Sequence, residues 1–459
     1  MGSEPIPKLL LEFSLPVMTG MVVQAVYSVV NRAFIGNAPE AATMGMAAIT
    51  LGMPVVLVSM AFGGLIGFGG AAALSIYLGE QDRERSELAL GNVFSLAVLI
   101  GLVLTAVGLL FLDPILVKLG ATPQSLPYAR EYNRLILLGT VPANLGFALS
   151  NLIRAEGNPS KSMRIMIWSA VCNAGLDYLF IMVLHWGVRG AALGTVLSQT
   201  LVAAQVLLYY GTSRSHVRFR LRSLRLDRAI SLRIMSLGSS SFFMFLANSF
   251  LQFILNTQLV RYGGDVALAA WGTVHSVTLF CLFPIFGLNG GTQPLVGYNF
   301  GARQPARVKS AAKWAIAGAS AISTLAFCVV QLFPRAVAGV FSGEDRALLD
   351  LCAQNLAIST LLLPVVGFQI IASGYFTSVG KPLQSMFLSL SRQLLILVPL
   401  AWLLPRLLGL RGLYFAVPIA DGLASLVTLL FFLREMGRLD AAAEASAEAE
   451  ARAARTSLA

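Results

Sequence analysis

The fold is decided by the stretch Met163-Arg-Ile-Met-Ile-Trp-Ser-Ala-Val-Cys-Asn-Ala-Gly-Leu-Asp-Tyr-Leu-Phe-Ile-Met-Val-Leu-His-Trp186. Between Arg164 and His185 it is long enough, as a helix, to cross the hydrocarbon core of a bilayer, which is about 30 Å thick. Asp177 is its only carboxylate, and a carboxylate at the centre of a membrane helix costs about 2.5–3.5 kcal/mol. Asn173 lies four residues earlier, on the same helix face. The stretch therefore predicts a membrane helix with a functional polar pair.

The composition of the whole chain is that of a polytopic membrane protein. Its 459 residues are 56% hydrophobic and 12% charged, with a mean hydropathy of +0.75, whereas a soluble domain carries about 25% charged residues. The net charge of +11 comes mostly from short loops between apolar segments, where positive-inside placement explains it, so we expect no nucleic-acid partner. The four cysteines lie in apolar segments without paired spacing and indicate neither a metal site nor a disulfide.

Twelve apolar segments predict an all-α fold with twelve transmembrane helices. They are approximately Glu12–Gly36, Met46–Gly79, Leu88–Leu112, Tyr128–Ile153, Ser162–Leu184, Gly187–Tyr210, Ile234–Val260, Leu268–Tyr298, Ala311–Leu332, Leu351–Phe376, Pro382–Leu404 and Gly412–Leu433. Lys and Arg are denser in the loops after even-numbered segments, which predicts cytoplasmic termini in the cell's inner membrane. We expect a monomer.

An internal repeat divides the chain into halves about 222 residues apart. Three pairs of motifs carry it: Pro142-Ala-Asn-Leu-Gly-Phe with Pro364-Val-Val-Gly-Phe, Gly157-Asn-Pro159 with Gly380-Lys-Pro382, and Gly187-Val-Arg-Gly190 with Gly409-Leu-Arg-Gly412. A weaker match joins Gly69-Gly70 to Gly290-Gly291. Each half holds six helices, so both halves run the same way through the membrane as a parallel pseudo-twofold repeat, which is a transporter architecture. We predict an N-lobe at 1–212, a basic cytoplasmic linker at 213–230, a C-lobe at 231–438 and an Ala/Glu-rich cytoplasmic tail at 439–459.

Polar residues within the first-half segments form the best candidate site. Its members lie on segments five, six and one, and they are Asp177, Asn173, Thr195, Gln199, Tyr27 and Asn31. Desolvation raises the pKa of a carboxyl group in a low-dielectric pocket toward neutrality, so such a group can bind and release a proton. The cluster therefore predicts a proton-coupling site. An oxygen-lined Na⁺ site and a structural polar clamp between helices are the alternatives.

The second half differs at the matching positions. At the repeat offset, Asp177 falls near Leu400 and Asn173 near Ile396, both of which are apolar. The candidates for a substrate cavity are Arg392, Asp421 and His275 of this half, together with Tyr27 and Gln199 of the first half. Asp421 would pair with Arg392 or bind the helix backbone, and it would serve either structural locking or substrate access. His275 could titrate near neutral pH or be a lone, hydrogen-bonded histidine.

Enzyme motifs are absent from the sequence. It contains no His-Glu-x-x-His, no phosphate-binding loop, no Gly-x-Ser-x-Gly elbow and only three histidines. We therefore expect no catalytic residues, no resident metal and no cofactor, and the only ion involved would be a transported H⁺ or Na⁺.

The residues resemble those of the multidrug and toxic compound extrusion (MATE) family. The matching stretches are Arg154-Ala-Glu-Gly-Asn-Pro159, Asn173-Ala-Gly-Leu-Asp177, Gly187-Val-Arg-Gly-Ala-Ala192, Gln293-Pro-Leu-Val-Gly-Tyr-Asn-Phe-Gly301, Ser391-Arg-Gln393 and Pro418-Ile-Ala-Asp421. The resemblance covers both halves and is nearest to the bacterial and archaeal branches. It implies two six-helix lobes and the export of drugs or other small, often cationic, organic compounds, driven by H⁺ or Na⁺.

The resemblance also implies roles for single residues. Similar proteins place an Asp on segment one, an Asn and an Asp on segment five and a Thr on segment six around the coupling ion. Asn173, Asp177 and Thr195 fit this pattern, but segment one reads Val30-Asn31 where the family usually reads Val-Asp. One acid can still exchange one proton but makes a poorer Na⁺ site, so H⁺ coupling is favoured.

Two further functions stay open at the sequence level. A lipid-linked-precursor flippase would need a basic central cavity, for which Arg392 is the main candidate. A non-transporting membrane scaffold with a decayed coupling site is supported by Asn31. Membrane lipids are expected partners in every case, and the basic loop Ser213–Arg225 would contact headgroups or serve only as a topology signal.

Overall fold

A computed structural model of the chain describes residues 1–36, 42–212, 215, 217–342 and 346–457, with the side chains at 25, 27–50, 221, 265, 269, 340–348 and 442–459 outside the described part. The helices of the first half are α1 (Ile6–Gly36), α2 (Ala42–Gly79), α3 (Arg83–Leu110), α4 (Leu112–Lys118), α5 (Leu126–Leu138), α6 (Thr140–Ala155), α7 (Pro159–Asp177) and α8 (Gly187–Gly211). Those that follow are α9 (Arg228–Gly301), α10 (Pro305–Leu332), α11 (Pro334–Ser342), α12 (Arg346–Ser359), α13 (Leu363–Ser378), α14 (Pro382–Leu390), α15 (Val398–Leu408) and α16 (Leu410–Ser457). Two π-helical segments, Tyr178–Val183 and Ser391–Leu397, continue α7 and α14.

The helices have the lengths that a polytopic membrane protein requires. Among the described residues, ten are long and apolar enough to cross a membrane, and there are twelve spans if each of two bent pairs counts as one. Helix α9 supplies two of these spans because its backbone breaks at Gly264, where φ is +63°. The predicted all-helical membrane fold is confirmed.

The two bent pairs occupy matching places in the two halves. Helices α5 and α6 meet at 46°, and the pair of Leu349–Ser359 and α13 meets at 56°. A proline follows each break, since Pro142 is the third residue of α6 and Pro364 the second of α13. Proline fits the first turn of a helix but disrupts its interior, so each span starts a new helix there. Both prolines are landmarks of the sequence repeat, but the sequence analysis predicts each of these spans as one unbroken helix, which the structure corrects.

The chain packs as two compact units. The N-terminal unit contains Thr19–Leu74 and Asp82–Ser249, and the C-terminal unit contains Met1–Met18, Ser75–Gln81 and Phe250–Ala459. The start of α1 is thus part of the C-terminal unit, where Leu9, Leu10 and Phe13 pack in one apolar cluster with Ile285 and Leu288. Arg307 holds this segment by donating to the backbone oxygens of Met1, at 2.9 Å, and Glu4, at 2.8 Å.

Each unit has its own apolar core. Leu90, Leu149 and Leu152 are fully buried in the N-terminal unit, as are Tyr375 and Tyr414 in the C-terminal unit. Many other large apolar side chains are exposed along the helices, as expected of faces that meet lipid. Helix association in lipid depends on close van der Waals packing, because lipid tails are as apolar as the side chains.

Helix contacts without intervening side chains occur in both units. In the N-terminal unit, a methyl group added at Gly69 of α2 would overlap the Ile234 carbonyl oxygen, and one at Gly238 of α9 would overlap the Leu65 carbonyl oxygen. In the C-terminal unit, a methyl group at Gly291 of α9 would meet the Cα of Ser14 at 2.6 Å. Small residues at these crossings let the backbones touch.

Part of the predicted linker is folded against α3. The Asn92 side chain accepts hydrogen bonds from the Asp227 amide and the Ser231 hydroxyl, both at 2.8 Å. The Ser95 hydroxyl donates to the Leu224 carbonyl at 2.7 Å, and Arg220 forms a 3.0 Å salt bridge with Glu87. This segment is therefore bound to the N-terminal unit. The lobe, linker and tail boundaries stay a prediction.

Substitution at the crossing of α2 and α9 tests this packing. Gly238→Ala is expected to destabilise the protein by about 1–3 kcal/mol, because the added methyl group forces the two backbones apart. Thermal unfolding of the purified protein in detergent measures the change. Gly272→Ala on the same helix is the control, since its added methyl group has nothing within 4 Å and removal of a helical glycine stabilises by up to about 1 kcal/mol. Equal unfolding temperatures for the two variants would contradict the close crossing.

Candidate functional site

The predicted polar pair of α7 is buried against α8. Asp177 is 0% exposed and Asn173 is 2% exposed. Both side chains face Gly194 of α8: a methyl group there would overlap the Asp177 carboxylate and lie 3.5 Å from Nδ2 of Asn173. Glycine at this position therefore makes the space that the carboxylate occupies.

The polar atoms of this pair lack hydrogen-bond partners in the described part of the chain. This holds for both carboxylate oxygens of Asp177 and for Oδ1 and Nδ2 of Asn173. A buried polar group without a partner costs about 1–3 kcal/mol, and a buried charge costs more. As a structural clamp between helices, such a pair would therefore reduce stability. A bound ligand or proton would offset this free-energy cost.

A change of helix type coincides with this pair. Asp177 is the last residue of α7, and the π-helical segment Tyr178–Val183 follows directly. A π-turn is wider than an α-turn, frees backbone groups and is frequent at functional sites. The sequence carried no signal for it.

The other predicted members of the first-half site lie on two helices, α8 and α1. Thr195 follows Gly194 directly on α8, and it and Gln199 are half-buried. Tyr27 and Asn31 belong to α1, and their side chains are outside the described part of the structure. Sequence reasoning missed Tyr132 of α5, which lies within electrostatic range of the Asp177 carboxylate.

The second half has an apolar surface where the first half has its acid. Ile396 and Leu400, which match Asn173 and Asp177, pack against a cluster that includes Leu397 and Ala401. The predicted absence of a matching acid therefore corresponds to a packed apolar region.

Arg392 and Asp421 form a salt bridge, the first of the two arrangements considered for Asp421. Arg392 lies in the π-helical segment Ser391–Leu397 and donates through Nε to Oδ1 of Asp421 on α16 at 2.6 Å. The Asp421 side chain is 5% exposed and that of Arg392 is 29% exposed. The pair joins the π-helical segment to the last helix, which is a locking geometry. A role in substrate access stays a prediction.

His275 is separate from this pair. Its ring is half-buried on α9 and lies 3.3 Å from Nε2 of Gln252. Gln252 precedes the Gly264 break and His275 follows it, so the contact bridges the two spans of α9. A satisfied interhelical histidine fits this geometry.

Two buried carboxylates were not predicted. Glu435 of α16 is 5% exposed and accepts from Lys381 at 2.5 and 2.6 Å. Glu156, in the turn between α6 and α7, accepts from the hydroxyls of Ser215, at 2.8 Å, and Tyr209, at 3.2 Å. Both lie beside the Gly-x-Pro turns of the repeat, which fall in loops between the predicted membrane segments.

Curated relatives match nearly the whole chain, and a family model matches most of both halves. The MatE family model matches residues 16–179 and again residues 240–403. The multidrug export protein MepA of Staphylococcus haemolyticus is 28% identical over 433 residues, which is 94% of each chain. MepA of Staphylococcus aureus is 28% identical over 438 residues, covering 95% of this chain and 96% of that one. The doubled match agrees with the internal repeat, and the relatives are transporters rather than enzymes.

Solved structures match at the level of the fold. An outward-facing multidrug resistance MATE family transporter of the MOP superfamily is 25% identical, with a TM-score of 0.90 over 95% of this chain and 97% of that one. A MOP superfamily transporter from Pyrococcus furiosus matches with the same identity, TM-score and coverage, and the reverse polarity of its binding pocket is described as suggesting a different function. The resemblance and the two-lobe fold predicted from the sequence are confirmed.

The contact between Gly194 and Asp177 can be tested by a double-mutant cycle. Gly194→Ala is expected to destabilise the protein by about 1–3 kcal/mol, because the methyl group overlaps the carboxylate. In the Asp177→Ala background the same change should cost little, since the overlapping group is gone. Thermal unfolding of the four proteins measures the coupling. Gly175→Ala on α7 is the control, with nothing within 4 Å of its methyl group; equal costs of Gly194→Ala in both backgrounds would refute the contact.

The buried salt bridge has an exposed counterpart in the same unit. Arg392→Gln is expected to cost about 3 kcal/mol of stability, because Asp421 remains buried without its cation. Arg335→Gln breaks the exposed Arg335–Asp350 bridge and should cost less than about 1 kcal/mol. Unfolding temperatures report both changes. Addition of Asp421→Asn to Arg392→Gln should restore most of the loss, and no restoration would mean that Arg392 acts by other contacts.

Proposed function

Because the chain belongs to the MATE family of membrane transporters, we propose that it is a secondary antiporter that exports small amphipathic organic compounds in exchange for protons. The MepA relatives, which are named as multidrug export proteins, match it over 94–95% of its length. Drugs and other organic cations are the proposed substrates. The proposed location is the inner membrane, as a monomer with both termini in the cytoplasm.

One observation supports the assignment of the site at which the ion is coupled to transport. The Asp177 carboxylate is fully buried, with no hydrogen-bond partner among the described residues. An isolated ionised carboxylate in apolar surroundings is too costly to persist, so it takes a proton or binds a cation. Asp177 is therefore the proposed site at which transport is coupled to the ion gradient.

The proposed cycle uses this acid as a switch. In the conformation that binds the proton more tightly, Asp177 is neutral, so its burial beside Gly194 costs little free energy. Loss of the proton makes the buried site unfavourable and shifts the protein toward the state that binds substrate. An ion can drive such an exchange only through its different affinities for the two states. The π-helical segment after Asp177 is the proposed flexible element, because its wide turn can change its hydrogen bonding at low cost.

Protons are proposed over Na⁺ because the first half supplies few charged oxygens. Asn31 stands where similar proteins carry a second acid, so Asp177 is the one carboxylate among the candidate residues of this half. Na⁺ prefers several oxygen ligands that include carboxylates, whereas a proton needs one. The flippase alternative receives no support from Arg392, whose charge is paired with Asp421.

Proton flux in proteoliposomes tests the proposal. Ethidium added against an imposed pH gradient should evoke proton movement in the wild type, recorded by an internal pH-sensitive dye. Asp177→Asn should abolish this flux because the amide cannot bind and release a proton. Asp113→Asn is the control: it breaks only the exposed pair with Arg130 and should leave the flux unchanged.

Two outcomes would contradict this assignment. Wild-type flux in Asp177→Asn would remove Asp177 as the coupling residue. Substrate movement that requires Na⁺ and ignores the pH gradient would replace the proton. The variant Asn31→Asp restores the second acid, and enhanced flux or new Na⁺ dependence would show that this position sets the ion.

A further inference from the structure

A groove lies between the first turns of α7 and the last turns of α8. Its volume is about 360 Å³, and it belongs entirely to the N-terminal unit. Its lining combines two cations, an amide, an indole and two isoleucines: Lys161, Arg164, Gln205, Trp168, Ile165 and Ile167. This groove is distinct from the Asp177 site, which lies at the other end of α7.

The two cations of the groove are available for a ligand. Lys161 and Arg164 are three residues apart and so lie on one helix face. Within the described part of the chain, neither side chain forms a salt bridge or a hydrogen bond, and α7 and α8 contribute no other acid than Asp177 at the far end of α7. Two uncompensated positive charges and the Gln205 amide form a surface complementary to a phosphodiester anion.

The polarity of the exposed surface falls along α7 in the same order as it does from the headgroups of a bilayer to its hydrocarbon core. Arg164 is exposed near the helix start, Trp168 is 58% exposed one turn further, and Val171 is 57% exposed beyond it. Leu201, one turn before Gln205 on α8, is also exposed. Cations, then an indole, then aliphatic side chains match headgroup, interface and hydrocarbon in turn. A ligand with an anionic head and aliphatic tails fits this order.

The repeat shows that the fold does not itself require these cations. When Pro159 is aligned with Pro382, the positions of Lys161 and Arg164 correspond to Gln384 and Phe387. The second half therefore begins the same membrane helix without either charge. The two cations are therefore specific to this groove, because the matching helix of the second half begins without them.

We propose that the groove between α7 and α8 is a binding site for an anionic phospholipid. The phosphodiester binds Lys161, Arg164 and the Gln205 amide, and the acyl chains follow Trp168 and the aliphatic face beyond it. The site is independent of the transport cycle proposed above, because it shares no residue with the candidate coupling site.

Native mass spectrometry with phosphatidylglycerol and phosphatidylcholine tests the site. The wild type should retain phosphatidylglycerol selectively, because the choline group cancels the phosphate charge. The double variant Lys161→Gln/Arg164→Gln should lose affinity for phosphatidylglycerol by about 10- to 30-fold, as expected for two cations near an anionic headgroup. Arg303→Gln/Lys313→Gln is the matched control, since it removes two exposed cations elsewhere and should leave selective binding unchanged.

A second measurement does not depend on the charge variants. Brominated phosphatidylglycerol should quench the fluorescence of Trp168 more than brominated phosphatidylcholine does, and Trp168→Phe should remove this selective part of the quenching. Equal lipid binding by the wild type and the Lys161→Gln/Arg164→Gln variant would overturn the proposal. An equal loss in both charge variants would also overturn it, because general surface charge would then explain the binding.

Discussion

Backbone-to-backbone helix contact is the constraint on which the architecture depends. Gly69 and Gly238 allow α2 and α9 to touch in the N-terminal unit, and Gly291 and Ser14 allow α9 and α1 to touch in the C-terminal unit. The repeat relates these two crossings, since positions 14 and 238 each lie two residues before the start of one of the two family matches. Packing in lipid offers no hydrophobic gain between helices, so approach distance decides which helices associate. Small residues at matching positions thus place the start of each half against a long helix of the opposite half.

A repeated scaffold carries two different kinds of chemistry. Both halves have a span broken before a proline and a π-helical segment in the span after it. In the first half the π-helical segment follows Asp177, whose carboxylate has no hydrogen-bond partner among the described residues. In the second half the π-helical segment holds Arg392 in a salt bridge with Asp421. A charge that is already paired changes little with the proton gradient, and an isolated acid changes most. The two halves therefore differ in chemistry: the proposed coupling acid lies in the first, and a buried salt bridge lies in the second.

Composition, hydrophobic runs and repeated motifs were sufficient to predict the membrane fold and its two halves. They were sufficient because bilayer thickness fixes helix length and duplication leaves matching prolines and glycines. The same reasoning predicted Asp177 and Asn173 as a buried pair, since helical spacing determines a shared face. It could not find that Gly194 contacts Asp177 or that Tyr132 lies within its electrostatic range, because these residues are on helices whose rotation the sequence does not state. The Lys381–Glu435 bridge was missed for the same reason, since its partners are 54 residues apart.

The position of Met1–Met18 in the C-terminal unit has a consequence for biosynthesis. Its contacts with Arg307 join residues more than 300 positions apart in the chain. A ribosome adding about 5–20 residues per second needs roughly 15–60 s to produce that interval. During this time the beginning of α1 is in the membrane or at the translocon without the surface it finally covers. Met1–Met18 is therefore made well before the surface that it covers, and this part of the C-terminal unit can form only after Arg307 has been synthesised.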